Sequence, residues 1–204
     1  GDQAEGQPRW AAALAAIAAD PGIEEVILSG GDPLSLSNAR LASLLKSLEA
    51  LSQVRRIRLH TRTPIVLPAR VDAGLLETLQ SVRGKLVIVV HANHANELDS
   101  PTAAALLALR GACDALLNQS VLLAGVNDDV DALAALSRRL FECGVLPYYL
   151  HQLDRVAGAA HFEVDDLRAR ELAAALNARL PGYLVPRLVR EIAGAPGKLP
   201  LDPA

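Results

Sequence analysis

An α/β fold, built as a partial (β/α) barrel, is predicted by three features of this 204-residue sequence. Short apolar runs rich in β-branched residues alternate strictly with longer segments of helical periodicity, which argues a parallel sheet wound one way. The strand-like runs end on polar residues or lead into them. About five or six such units are present, more than a doubly wound sheet needs and fewer than the eight of a complete barrel. An apolar content of 51% is ample for a sizeable core. The formal net charge of -3, from 20 basic and 23 acidic residues, argues against nucleic acid as a partner. The apolar stretch Ala11 to Ala19 is too short to span a bilayer and has no basic flank, so no membrane partner is expected. Cys113 and Cys143 lie far apart in helical segments and read as small buried thiols, in keeping with a reducing cytoplasm. The chain begins at Gly1 and contains no Met, which reads as a fragment of a longer protein.

In chain order, Pro8 to Ala19 is an alanine-rich helix stopped by Asp20-Pro21-Gly22. The first strand, Glu24 to Ser29, belongs to the stretch around which the rest is arranged, Val26-Ile27-Leu28-Ser29-Gly30-Gly31-Asp32-Pro33-Leu34. A helix from Asn38 to Leu51 follows, with Leu41, Leu44, Leu45 and Leu48 on one face. The unit then recurs. Arg56 to Thr61 is a strand, Asp72 to Val82 a helix, Lys85 to His91 a buried strand, and Pro101 to Ala112 a helix with Ser100 as its N-cap. Asp114 to Leu123 and Val145 to Leu150 are strands, Asp128 to Cys143 and Val164 to Arg179 helices, and Tyr183 to Leu188 a last extended segment. Residues 1–193 form the barrel-like domain. A glycine and proline loop at 194–198, Gly194-Ala195-Pro196-Gly197-Lys198, then opens a tail ending at residue 204 and presents one lysine.

Polar residues thus collect at the C-terminal edge of the sheet, where α/β proteins bind ligands. They are Gly30-Gly31-Asp32, Thr61-Arg62, His91, Asn118-Gln119 and, just beyond the last run, Asp154. Each has a plainer reading. Gly30-Gly31-Asp32 is also a good βα turn, His91 a strand-end histidine satisfied by backbone, Arg62 a charge at a strand end, and Lys198 a solvated surface lysine.

The runs SGGDPL, TRTPIVLPAR, HANHANE, LLNQSVLLAGVND, PYYLHQLD, GAAHF and GAPGK resemble the lysine 2,3-aminomutase family of radical S-adenosylmethionine enzymes. The resemblance extends from about Pro8 onward, and is strongest to the bacterial branch that supplies (R)-β-lysine for elongation factor P. It implies a radical S-adenosylmethionine barrel whose first strand and cluster loop are missing here. The family's CxxxCxxC motif, whose thiolates hold a [4Fe-4S] cluster, is absent, so the cluster's ligands are not in this chain and no metal ligand is assigned.

The resemblance also implies roles. Gly30, Gly31 and Asp32 would accept hydrogen bonds from the amino group of S-adenosylmethionine, with the glycines letting backbone approach closely. His91 and Gln119, which can each donate and accept, would contact its adenosyl part. Lys198 would be the amine that binds pyridoxal 5′-phosphate, and Arg62 would hold that cofactor's phosphate. Asp154 and Glu191 would recognise the side-chain ammonium of the substrate lysine. The neighbouring Arg190 could instead neutralise Glu191. Implied too are a 5′-deoxyadenosyl radical that takes hydrogen from C3 of lysine, migration of nitrogen from C2 to C3, and a functional link to elongation factor P and its lysyl ligase. A homo-oligomer is compatible with this reading. The alternative is a non-catalytic remnant that binds pyridoxal phosphate or S-adenosylmethionine without radical chemistry.

Overall fold

The computed structural model describes residues 7–154, 158, 160–192, 194 and 197–201. Its elements run α1 (Gln7–Ala19), β1 (Glu25–Leu28), α2 (Asn38–Glu49), β2 (Arg56–Thr61), α3 (Thr63–Val66), α4 (Ala73–Gln80) and β3 (Lys85–Val90). There follow α5 (Ser100–Arg110), β4 (Ala115–Val121), α6 (Val130–Glu142), β5 (Leu146–His151), α7 (Asp166–Arg179), β6 (Arg187–Arg190) and β7 (Leu199–Pro200). The seven strands lie in one sheet in the order of the chain. Strands β1 to β6 run parallel to one another, with a helical crossover between each successive pair. The sheet curls into a half-barrel, as the alternation of elements predicts.

The helices begin where short polar side chains can satisfy their first free N–H groups. Ser37, Asp72, Asp129 and Asp165 each accept from a backbone N–H three residues on. Such a cap contributes about 1 kcal/mol. At α5 the expected cap, Ser100, is instead the first helical residue, and Asp99 takes the N-cap by accepting from Thr102 N at 2.9 Å. Its carboxylate is the stronger acceptor for that N–H. The extended segment expected from Tyr183 opens instead as a 3-10 turn, Gly182–Leu184, before β6 begins at Arg187. Neither the short α3, with Pro64 in its first turn, nor the two-residue β7 is visible in the hydrophobic pattern.

Strand alternation sorts the side chains into two faces. Ile57, Leu59, Leu86, Ile88, Val90 and Leu116 point toward the helices and pack with Leu41, Leu45, Leu48, Leu75, Leu79, Leu106 and Leu109. A second apolar cluster joins Leu150 and Leu188 to Leu172 and Leu176 of α7. Each fully buried leucine contributes roughly 1.5 to 3 kcal/mol. Among the described residues no helix is long and apolar enough to cross a membrane.

Candidate functional site

The other face of the sheet carries Arg58 and His60 on β2, Gln119 on β4, Tyr149 and His151 on β5, and His91 immediately after β3. Toward the C-terminal ends of the strands it opens into a cavity of about 350 Å³. Arg62, His91, Gln119, Asp154 and Glu191 all line it, beside Asn93, Ser120, His151 and Gln152. Five of the residues singled out from the sequence therefore meet around one space. Parallel pairing is the reason, because strands in register end at one level and deliver the residues after them to one rim.

The rim is braced by asparagines. Asn118, 1% exposed, accepts from Ala92 N at 2.8 Å and donates to Ala92 O at 3.1 Å. Asn127, fully buried, donates to Asn93 O and Val121 O and accepts from Leu123 N. These bonds tie the loops after β3 and β4 together, and they explain much of the HANHANE and LLNQSVLLAGVND runs. Glu97 completes the brace. One of its oxygens accepts from Asn93 N and His94 N, and the other receives Arg62 at 3.1 Å. Arg62 is thereby held at the rim with about half its side chain exposed.

His91 and Gln119 face each other, with His91 Nε2 3.0 Å from Gln119 Nε2. His60 packs edge-on to His91, ring centroids 5.8 Å apart. Burial pushes the pKa of all three rim histidines down, and nearby cations add to the effect. His60 falls to about 4, with His91 and Arg58 nearby, and His151 to about 4 with Lys198 nearby. His91 is also lowered, by burial and then by Arg62. The neutral form is thereby favoured in all three. His60 Nε2, His151 Nε2, Gln119 Oε1 and Gln152 Oε1 are buried and have no hydrogen-bond partner among the described residues. Buried orphan atoms of this kind are costly unless a ligand or water meets them.

Asp32 sits where the loop after β1 meets the loop after β2. Its carboxylate accepts from Thr61 Oγ1 at 2.6 Å, Arg62 N at 2.7 Å, Thr63 N at 3.0 Å and Leu34 N at 3.0 Å. Burial opposes its charge, but these hydrogen bonds outweigh that and hold the carboxyl below its ordinary pKa. Asp32 is thus committed to stapling the loop after β1 to the loop after β2. Thr61 is likewise committed to Asp32. Gly30 and Gly31 sit at φ 77° and 107° with open space where a side chain would begin, so their backbone is approachable. With Asp32 they border a second, largely apolar cavity beside Trp10 and Val26.

Lys198 reaches the rim through the antiparallel pairing of β6 with β7. Arg190 is paired with Leu199, so the next residues outward, Glu191 and Lys198, stand opposite each other. Lys198 Nζ donates to Glu191 Oε1 and lies 5.5 Å from the centre of the Tyr149 ring. The pairing holds the Glu191 carboxyl below its ordinary pKa. His151 Nδ1 is 3.9 Å from the same oxygen. Arg190, offered by the sequence as a partner for Glu191, forms a two-pronged pair with Asp166 instead. Within the GAPGK loop Ala195 and Pro196 lie outside the described residues, as does Ala159 of GAAHF. The sequence reading missed His60, His151 and Gln152. His60 was legible in principle, since alternation puts it on the same face as Arg58.

The two thiols do not fit an iron-sulfur cluster. Cys113 donates to Leu109 O, and burial raises its pKa to about 11, while Cys143 is buried in the core. Among the described residues no group of three or more His, Cys, Asp or Glu could hold a metal ion.

No family model matches the sequence. The chain is 49% identical over 193 residues to the L-lysine 2,3-aminomutase of Escherichia coli (strain K12), covering 95% of this chain and 56% of that protein. Against the L-lysine 2,3-aminomutase of Haemophilus influenzae the identity is 49% over 189 residues, 93% of this chain and 56% of that one. The chain belongs to the lysine 2,3-aminomutase family. A more distant lysine 2,3-aminomutase, from Methanococcus maripaludis, is 37% identical over 181 residues, 89% of this chain and 42% of the relative. The chain thus spans about half the length of the curated lysine 2,3-aminomutases it matches.

Proposed function

We propose that this chain supplies the substrate and pyridoxal phosphate half of a lysine 2,3-aminomutase, an isomerase that converts L-α-lysine to (R)-β-lysine. Convergence of Glu191, Asp154, Gln119 and His91 on one cavity, with Lys198 bonded to Glu191, carries the reading. Pyridoxal phosphate, when bound, supplies an electrophilic aldehyde and a conjugated ring that spreads an unpaired electron. The site's chemistry fits it. Lys198 offers the amine, Arg62 the forked cation suited to a phosphate, and the orphan atoms of His151 and Gln152 offer polar groups lacking partners. Arg62 must leave Glu97 to serve, which its exposed position permits.

On this reading Asp154 and Glu191 hold the substrate's side-chain ammonium, and the neutral imidazoles of His91 and His151 orient ligands without adding charge. The strand ends keep the reacting groups in contact and exclude water. His91 and Gln119 are assigned to the adenosyl part of S-adenosylmethionine. Its amino group is left to the backbone at Gly30 and Gly31, because the Asp32 carboxylate is occupied. We assign the product to modification of elongation factor P, with that factor's lysyl ligase as functional neighbour and the cytoplasm as location. That part rests on the motif resemblance to the elongation factor P branch. The competing reading is a binding domain without radical chemistry.

A chimaera separates the two readings. This chain replaces the matching 193 residues of the Escherichia coli relative. Anaerobic incubation with L-lysine, S-adenosylmethionine and reductant should then form β-lysine, and a loaded but inactive chimaera would favour the binding reading. In the chain alone, borohydride treatment with pyridoxal phosphate should label Lys198. A label on Lys46 or Lys85 overturns that assignment.

A further inference from the structure

We propose that Lys198 is an internal occupant of the cation subsite formed by Glu191 and Asp154, and that a ligand's ammonium enters by displacing it. The proposal rests on the reading that this cavity takes a lysine side chain, and it adds a competitor built into the fold. Three observations carry it. The register of β6 and β7 sets Lys198 directly across from Glu191, and its amine donates to that carboxylate. Glu191 and Asp154 line the same cavity, so the carboxylate holding Lys198 is one that an incoming ammonium would use. Gln152, only 4% exposed and lining that cavity, has an Oε1 with no partner among the described residues, an acceptor still free for a donor that Lys198 does not supply.

The physical consequence is competition. A carboxylate already engaged in a charge-assisted hydrogen bond gives a second ammonium less, and two ammonium groups held side by side repel. The subsite is therefore partly closed while the Lys198 amine is free. It opens when that amine is drawn away by another partner, an aldehyde included, because Glu191 is then released. Loading of Lys198 and affinity for a cationic side chain are coupled through one carboxylate, and the coupling is reciprocal.

Isothermal titration of the 204-residue chain with L-lysine, and with L-norleucine as the uncharged control, tests this directly. Lys198→Ala and Lys198→Met should each bind L-lysine roughly tenfold more tightly than the unmodified chain, the scale of one charge-assisted hydrogen bond. Affinity for L-norleucine should not change. Lys198→Arg should bind like the unmodified chain, since it replaces the occupant with another cation. Adding Glu191→Gln to Lys198→Ala should abolish the gain. If the unmodified chain binds L-lysine over L-norleucine and removal of Lys198 brings no gain, the internal-occupant proposal falls and the cavity reading stands. If no variant prefers L-lysine to L-norleucine while circular dichroism shows native folding, the cavity reading falls and takes the proposal with it.

Discussion

The two faces of one sheet obey opposite rules. On the helix side, β2 presents Ile57 and Leu59, 2% and 0% exposed, packed against leucines of α2 and α4. On the other side the same strand presents Arg58 and His60. Arg58 forms a two-pronged pair with Glu25, and His60 keeps a buried nitrogen without a partner among the described residues. The helix side minimises free energy by close packing, where a lost methylene leaves a void. The inner side tolerates orphan atoms and neutral buried histidines, features that weaken a fold by itself and suit it to receive a ligand. Stability and function are thus divided between odd and even positions of one strand.

That division makes quantitative predictions. The largest effect belongs to the packed side, where Leu59→Ala should cost about 2 to 5 kcal/mol in urea unfolding. A cost under 1 kcal/mol would mean that this side is not the main core. Next comes the staple between the loops, since Asp32→Asn weakens the acceptor for Thr61 and the two backbone N–H groups. It should cost about 1 to 3 kcal/mol and leave L-lysine binding within about twofold. A selective loss of S-adenosylmethionine binding with stability unchanged would return Asp32 to the ligand role.

The histidines make the comparison dependent on pH. The folded pKa values of His60 and His151 lie at about 4, below the ordinary 6.5. As pH falls from about 6.5 toward 4 the unfolded chain takes up protons that the folded chain refuses, so stability drops across that window and levels off below it. Melting temperatures between pH 7 and pH 4 should show the drop, and a His60→Gln, His151→Gln double variant should flatten it. An unchanged slope would locate the acid sensitivity in the carboxylates. The smallest effect is expected for His60→Phe, which removes an orphan nitrogen from the inner face. It should shift stability by no more than about 1 kcal/mol in either direction. A loss as large as that at Leu59 would erase the distinction between the faces.

What the sequence revealed follows the same line. The packed side was legible because burial there is recorded as hydrophobic period, and β2 runs from Arg56 to Thr61 as that period predicts. The rim was legible where a polar residue interrupts or follows a strand, which is how Arg62, His91, Gln119 and Asp154 stood out. Polar residues whose partners are backbone atoms carry no such mark. Nothing in the run LLNQS separates Asn118, which braces the Ala92 backbone, from Gln119, which faces the cavity. The commitment of Asp32 to the neighbouring loop and the meeting of Lys198 with Glu191 are contacts between separate segments. Only the folded arrangement supplies them.

The short antiparallel pair at the end of the chain works as a ruler marked in steps of two. Glu191 and Lys198 meet because they are the next facing pair beyond Arg190 and Leu199 in the register of β6 with β7. A slip of β7 by one residue against β6 sends Lys198 to the opposite side of the strand and its amine away from the rim. A slip of two residues preserves its direction and changes only its reach.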